Sequence, residues 1–321
     1  MEINEKIIPT LSVCVPVYNK ENVIRRCLDS LKNQTFNDIE FIIIDDGSRD
    51  GSGEICDEYA KEDNRFKIIH QENQGVGAAR KRALEEINGK FFIFCDADDW
   101  VESDAYEIIV NKAEEKNADI VIFGYYRDEI RSKKSKKVIF STNSTNNLDI
   151  ISDLIKSVNN STCNKLIRTS FIKENDISFP IGIDSGEDFL FISKAFLANP
   201  QNIEILEIPL YHYCCDSQGD SLTHYYNLKT VKNQIEILKW RINNLNFGKF
   251  KKLTARAIIG TIPILLKSKE FDKKLFQDFI KEYLPWSLLL SSKINKKWLL
   301  AFSCKLFGIS NVYKVVKKVK N

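Results

Sequence analysis

Phe91-Phe92-Ile93-Phe94-Cys95-Asp96-Ala97-Asp98-Asp99 decides the reading of this chain. The run from Phe91 to Cys95 is apolar throughout and short, which predicts a buried strand. Its exit carries Asp96, Asp98 and Asp99. Carboxylates crowded at the end of a buried strand repel one another and lose hydration, so they need a counter-ion. A hard divalent cation with oxygen ligands suits them, and Mg²⁺ or Mn²⁺ keeps open positions for phosphate groups.

Working outward, the same strand-then-acid pattern recurs upstream. Leu11 to Val17 and Glu40 to Ile44 are further apolar strands, and the second ends at Asp45-Asp46-Gly47-Ser48. Phe66 to Ile69 reads as a strand and Asp119 to Phe123 as another. Between them the spacing predicts helices over Asn22–Asn33, Ser52–Glu62, Gly75–Ile87 and about Ser103–Glu115. Strands that are apolar throughout and alternate with helices predict an α/β fold with a mostly parallel sheet covered on both faces. Ligands of such sheets sit at the carboxyl ends of the strands, where both acid clusters fall. Arg127 to Asn147 is charged, then rich in Ser, Thr and Asn, and reads as a surface loop. Leu148–Val158 resumes a helical pattern, and Ile203–Tyr213 is strand-like. From Asn227 the chain reads as helices, with Pro263 and Pro285 as breaks.

The composition is that of an ordinary globular protein, 43% hydrophobic and 28% charged over 321 residues. The net charge of +3 is unevenly spread: residues 291–321 hold eight Lys and no acid, which leaves the body at about −5. The N-terminus lacks a basic-then-apolar leader pattern, and no apolar run reaches the roughly 18 residues of a membrane span. The eight Cys form no Cys-x-x-Cys pair, and Cys14 and Cys95 fall in strands as buried thiols. These features predict a cytoplasmic protein.

The segments Ser12-Val13-Cys14-Val15-Pro16-Val17-Tyr18-Asn19, Ile44-Asp45-Asp46-Gly47-Ser48, Gln74-Gly75-Val76-Gly77-Ala78-Ala79-Arg80, Asp96-Ala97-Asp98-Asp99 and Gly186-Glu187-Asp188 occur in this order. Together they resemble the family 2 glycosyltransferases of the GT-A fold, and the overall pattern looks like bacterial enzymes that build surface polysaccharides. The resemblance covers about residues 10–225. It implies a nucleotide-sugar-binding catalytic domain over 1–225, followed by a helical, basic region over 226–321.

The resemblance further implies an inverting, metal-dependent transfer from a nucleotide diphosphate sugar, UDP-linked, to an acceptor hydroxyl. Partners would be that donor, a saccharide or lipid-linked saccharide acceptor, and Mn²⁺ or Mg²⁺. Pro16, Tyr18 and Asn19 would shape the nucleotide pocket. Asp45 and Asp46 would meet the base, Asp46 foremost, although Asp-Gly is also common turn chemistry. Arg80 would approach the diphosphate or the metal-binding acids. Asp99 would bind the cation, Asp98 the ribose or the metal's water, and Asp96 would support them; one of the three could instead cap the next helix. Asp188 would be the general base, with Glu187 as fallback, while acids at a helix start also fit a dipole role. Ser221, His212 and His224 would lie over the diphosphate, His212 as a metal ligand. Asn164-Lys165 resembles an Asn-Lys pair near the acceptor side.

Other readings fit less well. An EF-hand counted from Asp96 puts Trp100 at a ligand position and Val101 where glycine is needed. A dinucleotide-binding sheet needs Gly-x-Gly-x-x-Gly after the first strand, where this chain has Val17-Tyr18-Asn19-Lys20. A nucleotidyltransferase would carry a Gly-rich, Lys/Arg signature at the same place. Nucleic acid is an unsuited partner for an acidic body without base-reading motifs. The non-catalytic alternative is a nucleotide-sugar or membrane-surface binding module. Trp286, Trp298, Leu299, Leu300, Phe302, Leu306 and Phe307 beside the eight Lys fit either a lid or attachment to the inner face of the cell membrane.

Overall fold

The structure is a computed structural model. It describes residues 8–144, 146–157, 161–183, 185–215, 227–245, 247–248, 250–267, 272–284 and 296–313. The chain divides into two compact units, residues 1–183 with 187–219 and residues 184–186 with 220–321. The expected division at 225/226 falls outside the described residues, as do Ser221, His224, Pro285 and Trp286.

The first unit opens as the alternation predicts. Strands β1 (Leu11–Val17), β2 (Ile39–Asp45), β3 (Phe66–His70) and β4 (Phe91–Phe94) are joined by helices α1 (Ile24–Lys32), α2 (Ser52–Glu62) and α3 (Val76–Glu86). These strands pair in parallel in the order β3-β2-β1-β4. Their side chains are buried on both faces: Val13, Cys14, Val15, Phe41, Ile42, Ile43, Phe91 and Phe92 have no exposed surface. The short α1 earns its place through packing, since Ile24, Cys27, Leu28 and Leu31 all face inward. Register sets the chemistry, because Val17 lies opposite Asp45 and Cys14 opposite Phe94. The acids that follow β2 and β4 therefore emerge at one edge.

Beyond β4 the sheet is mixed rather than mostly parallel. After β5 (Trp100–Val101) and α4 (Ala105–Glu115) come β6 (Ile120–Glu129), β7 (Lys134–Val138), α5 (Asn147–Ser157), β8 (Lys165–Arg168), α6 (Thr169–Glu174), α7 (Glu187–Leu197) and β9 (Ile203–Cys215). Strand β8 runs antiparallel to both β4 and β6, β6 runs parallel to β9, and β5 runs antiparallel to β9. Among the described residues four strand pairings are parallel and four antiparallel. The expected loop over Arg127–Asn147 contains the end of β6 and all of β7, which pair as a hairpin. All but the last residue of β7 are exposed, so no buried face leaves an apolar alternation to read. Strands β5 and β8 and helix α6 are short and carried no periodic signal.

The second unit holds α8 (Leu228–Leu245), α9 (Phe250–Lys267), α10 (Lys273–Tyr283) and α11 (Lys296–Phe307). They share an apolar cluster that includes Val231, Leu238, Ile262, Leu265, Phe276, Phe279 and Ala301. Asp272 caps α10 by accepting from the Leu275 backbone N–H at 2.9 Å. Pro263 lies inside α9 and does not end it. The missing N–H costs one helical bond. The buried Ile259, Ile262, Leu265 and Leu266 on either side hold the helix together regardless. No helix among the described residues is long and apolar enough to cross a membrane.

Candidate active site

Arg80 organises the acids at the sheet edge. It lies on α3 and is 4% exposed. Its Nη2 donates to Asp96 Oδ1 at 2.8 Å, and its Nη1 donates to Asp188 Oδ1 at 2.7 Å and to Glu187. The guanidinium rests over the rings of Phe94 and Phe179, 5.9 and 6.0 Å from their centroids. Two glycines let α3 reach this place. Gly75 takes φ +90°, and a Cβ at Gly77 would stand 2.9 Å from the Ile183 carbonyl oxygen. Pro180, Ile183 and Glu187 thus lie against the start of α3, which brings Glu187 and Asp188 to Arg80. The family expectation for this arginine included the acids, and its three described hydrogen bonds all go to them.

One cation shared among three carboxylates leaves an excess of negative charge. The most buried acid, Glu187, has its pKa pushed up to about 7 by loss of hydration and by Asp188 beside it, against the pull of Arg80. Asp188 is also raised by burial, with Arg80 and Lys165 opposing and Asp96 adding. Glu187 and Arg80 meet as an ion pair, but Arg80 has a single charge to divide among three acids and does not offset the loss of hydration. Asp188 is the more open of the two, with 24% of its side chain exposed against 8% for Glu187.

The other two acids of the cluster face elsewhere. Asp98 pairs with Lys20 at 2.6 Å, and its backbone carbonyl accepts from Arg26 Nη2 at 2.5 Å. Asp99 is 1% exposed; its Oδ2 accepts from the Tyr211 hydroxyl and its Oδ1 from the Cys214 N–H at 2.8 Å. The Tyr211 oxygen in turn accepts from the Asp96 N–H at 3.1 Å. Burial holds the Asp99 carboxyl well above the ordinary range, with Asp96 and Asp98 adding to the rise. The donor set is of the oxygen type that suits Mg²⁺ or Mn²⁺, but the acids do not converge as a cage. Among the described residues no group of three or more His, Cys, Asp or Glu is placed to hold a metal.

Both ring nitrogens of His212 meet carboxylates. Its Nδ1 meets Asp128 Oδ2 at 2.7 Å and its Nε2 meets Glu102 Oε1 at 3.0 Å. The ring is stacked between Trp100 and Tyr126, with centroids 3.4 and 4.5 Å away. His212, expected as a metal ligand, ties β5 and β6 to its own strand β9 in the structure.

The first-strand motif and the Asp-Asp pair build the neighbouring loop. Asp46 is 2% exposed and accepts from Gln71 Nε2, Gln74 N and Gly75 N at 2.7, 2.9 and 2.8 Å. This carboxylate, expected to meet the base, holds the turn that enters α3. Asp45 accepts from the Ser48 N–H at 3.0 Å and meets His70 Nδ1 at 2.9 Å. Asn19, at φ +51°, accepts from the Arg49 N–H at 2.8 Å. Pro16 is half-buried, whereas Tyr18 is 41% exposed beside them. The motif reading missed Lys20, Tyr211 and Thr162. Each acts as a partner to a motif acid from a different element, and nothing in local sequence marks that.

Residues 12–175 match the family described as Glycosyl transferase family 2, and the chain belongs to this family. The fold is of the GT-A type. Among solved structures, that of Staphylococcus aureus TarS 1–349 in complex with UDP-GlcNAc superposes with a TM-score of 0.73, covering 97% of this chain and 91% of that one at 23% identity. Among curated relatives, EpsH of Bacillus subtilis is 42% identical over 64% of this chain and 60% of its own length. A poly(ribitol-phosphate) beta-glucosyltransferase of Bacillus spizizenii is 32% identical over 67% of this chain and 34% of its own length. The chain thus spans less than two thirds of the length of these relatives.

Proposed function

We propose that this chain transfers a sugar, with inversion, from a UDP-linked donor to an acceptor hydroxyl in building a bacterial surface polysaccharide. The observation that carries this reading is Asp188, a partly open carboxylate held by Arg80 at the edge where the strands deliver their acids. The UDP-GlcNAc held by TarS and the poly(ribitol-phosphate) named for a relative support the donor and the polymer class.

In this mechanism Asp188 takes the proton of the acceptor hydroxyl as that oxygen attacks the anomeric carbon. The bond to the diphosphate breaks on the opposite face, and its electron pair leaves on phosphate oxygen. A single base suffices, because no covalent enzyme intermediate forms. Burial raises the basicity of Asp188 and so fits it to the task. Glu187 is the weaker candidate because its side chain is nearly closed off. Tyr18 is the exposed member of the nucleotide side, with Pro16 beside it, while Asp45, Asp46 and Asn19 shape the loop behind. Each acid of the Asp96–Asp99 cluster already has a protein partner. A divalent cation would therefore arrive with the diphosphate rather than wait for it, Asp98 and Asp99 being the residues to receive it.

Asp188→Asn should lower turnover of UDP-GlcNAc by about 10²- to 10⁴-fold. UDP affinity measured by calorimetry should change little. Unchanged turnover would remove Asp188 from the base role.

For the second unit we infer contact with an anionic lipid surface. Leu299, Leu306 and Phe307 are exposed on α11, whose Lys296 and Lys297 are exposed as well. The full chain should co-sediment with vesicles rich in phosphatidylglycerol and not with phosphatidylcholine alone. Equal recovery from both would sink the idea.

A further inference from the structure

A second cation stands behind Asp188. Lys165 opens β8 opposite Ile122 of β6 and is 1% exposed. Its Nζ donates to the Ser161 carbonyl at 2.6 Å and to Asn164 Oδ1 at 2.8 Å, and Asn164 Nδ2 donates to the Phe123 carbonyl at 2.8 Å. An ammonium buried in a sheet costs several kcal/mol in lost hydration, so packing alone would favour an apolar residue here. The turn that Lys165 tethers is itself buried, with Thr162, Cys163 and Asn164 at 1, 2 and 2% exposure. Thr162 directs its hydroxyl to Asp188 Oδ1 at 3.5 Å.

Asp188 is therefore gripped from two sides, by Arg80 of α3 and by the 161–165 turn ahead of β8. The charged and titratable groups around it are Arg80, Asp96 beyond β4, Glu187 on its own helix, Cys163 in the turn and Lys165. Arg80 is divided among three acids. The charge of Lys165 acts on Asp188.

We propose that Lys165 is a positioning residue for Asp188: its tethered ammonium fixes the Thr162 turn against the carboxylate and keeps that carboxylate ionised and ready to accept a proton. The proposal rests on the reading of Asp188 as the base. Burial lowers the Lys165 pKa to about 7. The ammonium is thus charged on the acid side of neutrality.

The test is a carboxyl-carbon NMR titration of the full chain labelled at aspartate, with the Asp188 signal identified by its loss in Asp188→Asn. In Lys165→Met the Asp188 midpoint should move up by about one pH unit. In Thr162→Val, which replaces a hydroxyl by a methyl, it should move up by less. The acid limb of the UDP-GlcNAc turnover profile should shift the same way, with UDP affinity unchanged. If Lys165→Met does not fold, Thr162→Val decides the matter. An Asp188 midpoint unmoved in the folded variant overturns the proposal. Wild-type protein that fails to bind UDP or turn over the donor overturns the transferase reading instead, and the titration still reads the Lys165–Asp188 coupling.

Discussion

Asp188 and Asp99 are both linked to Asp96, one through Arg80 and the other through Tyr211, and are held by opposite means. Asp188 shares a guanidinium with two other acids and keeps part of its surface open. Asp99 is sealed and held by neutral donors, a tyrosine hydroxyl and a backbone N–H. Both carboxyls are raised by burial, yet only the first has a formal counter-charge against it. The contrast separates two uses of a buried acid. A group that must gain and lose a proton is balanced by cations, whose pull can be tuned. A group that must hold a fixed orientation is tied by dipoles, whose direction is fixed by the fold.

Arg80→Met tests the ionic side and carries the largest expected effect. It would leave Asp96, Glu187 and Asp188 buried or half-buried without their shared cation. Removing one partner of a buried ion pair costs about 3–5 kcal/mol. Urea unfolding should read a loss of that size. Adding Glu187→Gln and Asp188→Asn should restore part of it, because the stranded charges are then gone. A loss no larger than that of an exposed arginine would show that the cluster is not ionic.

Glu187→Gln sharpens the same side through pH. The Glu187 pKa is raised from 4.5 to about 7, so the folded chain keeps a proton that the unfolded chain has released within that window. Stability contributed by this group therefore falls as pH rises from about 4.5 to 7. At about 1.4 kcal/mol per unit the change is on the order of 3 kcal/mol. Gln carries no such proton. The stability difference between wild type and Glu187→Gln should favour wild type in acid and shrink or reverse above pH 7. A difference constant from pH 4.5 to 8 would mean that Glu187 is an ordinary ionised carboxylate.

The two sides also differ in how far they could be read from sequence. Strands β1 to β4 and their acids are legible because burial on both faces leaves an unbroken apolar run, and because several acids at its end exceed what one turn or cap requires. The motif residues Arg80, Glu187 and Asp188 were picked out, and the structure brings them together. Their partners were not legible. Lys20, Thr162 and Tyr211 meet the acids from elements 26 to 115 residues away, and such pairings depend on register, which no local pattern encodes. The partners of His212 are equally hidden. A histidine near an acid cluster suggests a metal ligand, but Asp128 and Glu102, which occupy its nitrogens, stand 84 and 110 residues upstream.

Tyr211→Phe probes the dipolar side, where the expected effect is smaller. The phenol oxygen serves two groups at once: it donates to Asp99 Oδ2 and accepts from the Asp96 N–H. Removing it leaves a buried acceptor and a backbone donor without this partner, a cost of about 1–3 kcal/mol. Because the hydroxyl lowers the Asp99 pKa, its loss should also drive that carboxyl further up. Asp99→Asn behaves differently if the role is one of orientation. The amide oxygen still accepts from the Cys214 N–H, and the amide N–H₂ can donate to the Tyr211 oxygen, so stability should change by less than about 1 kcal/mol. If Asp99 instead receives a cation brought by the diphosphate, the same variant keeps its stability but loses the Mn²⁺-dependent part of UDP binding. Measuring both quantities on Asp99→Asn separates a carboxylate chosen for shape from one chosen for charge.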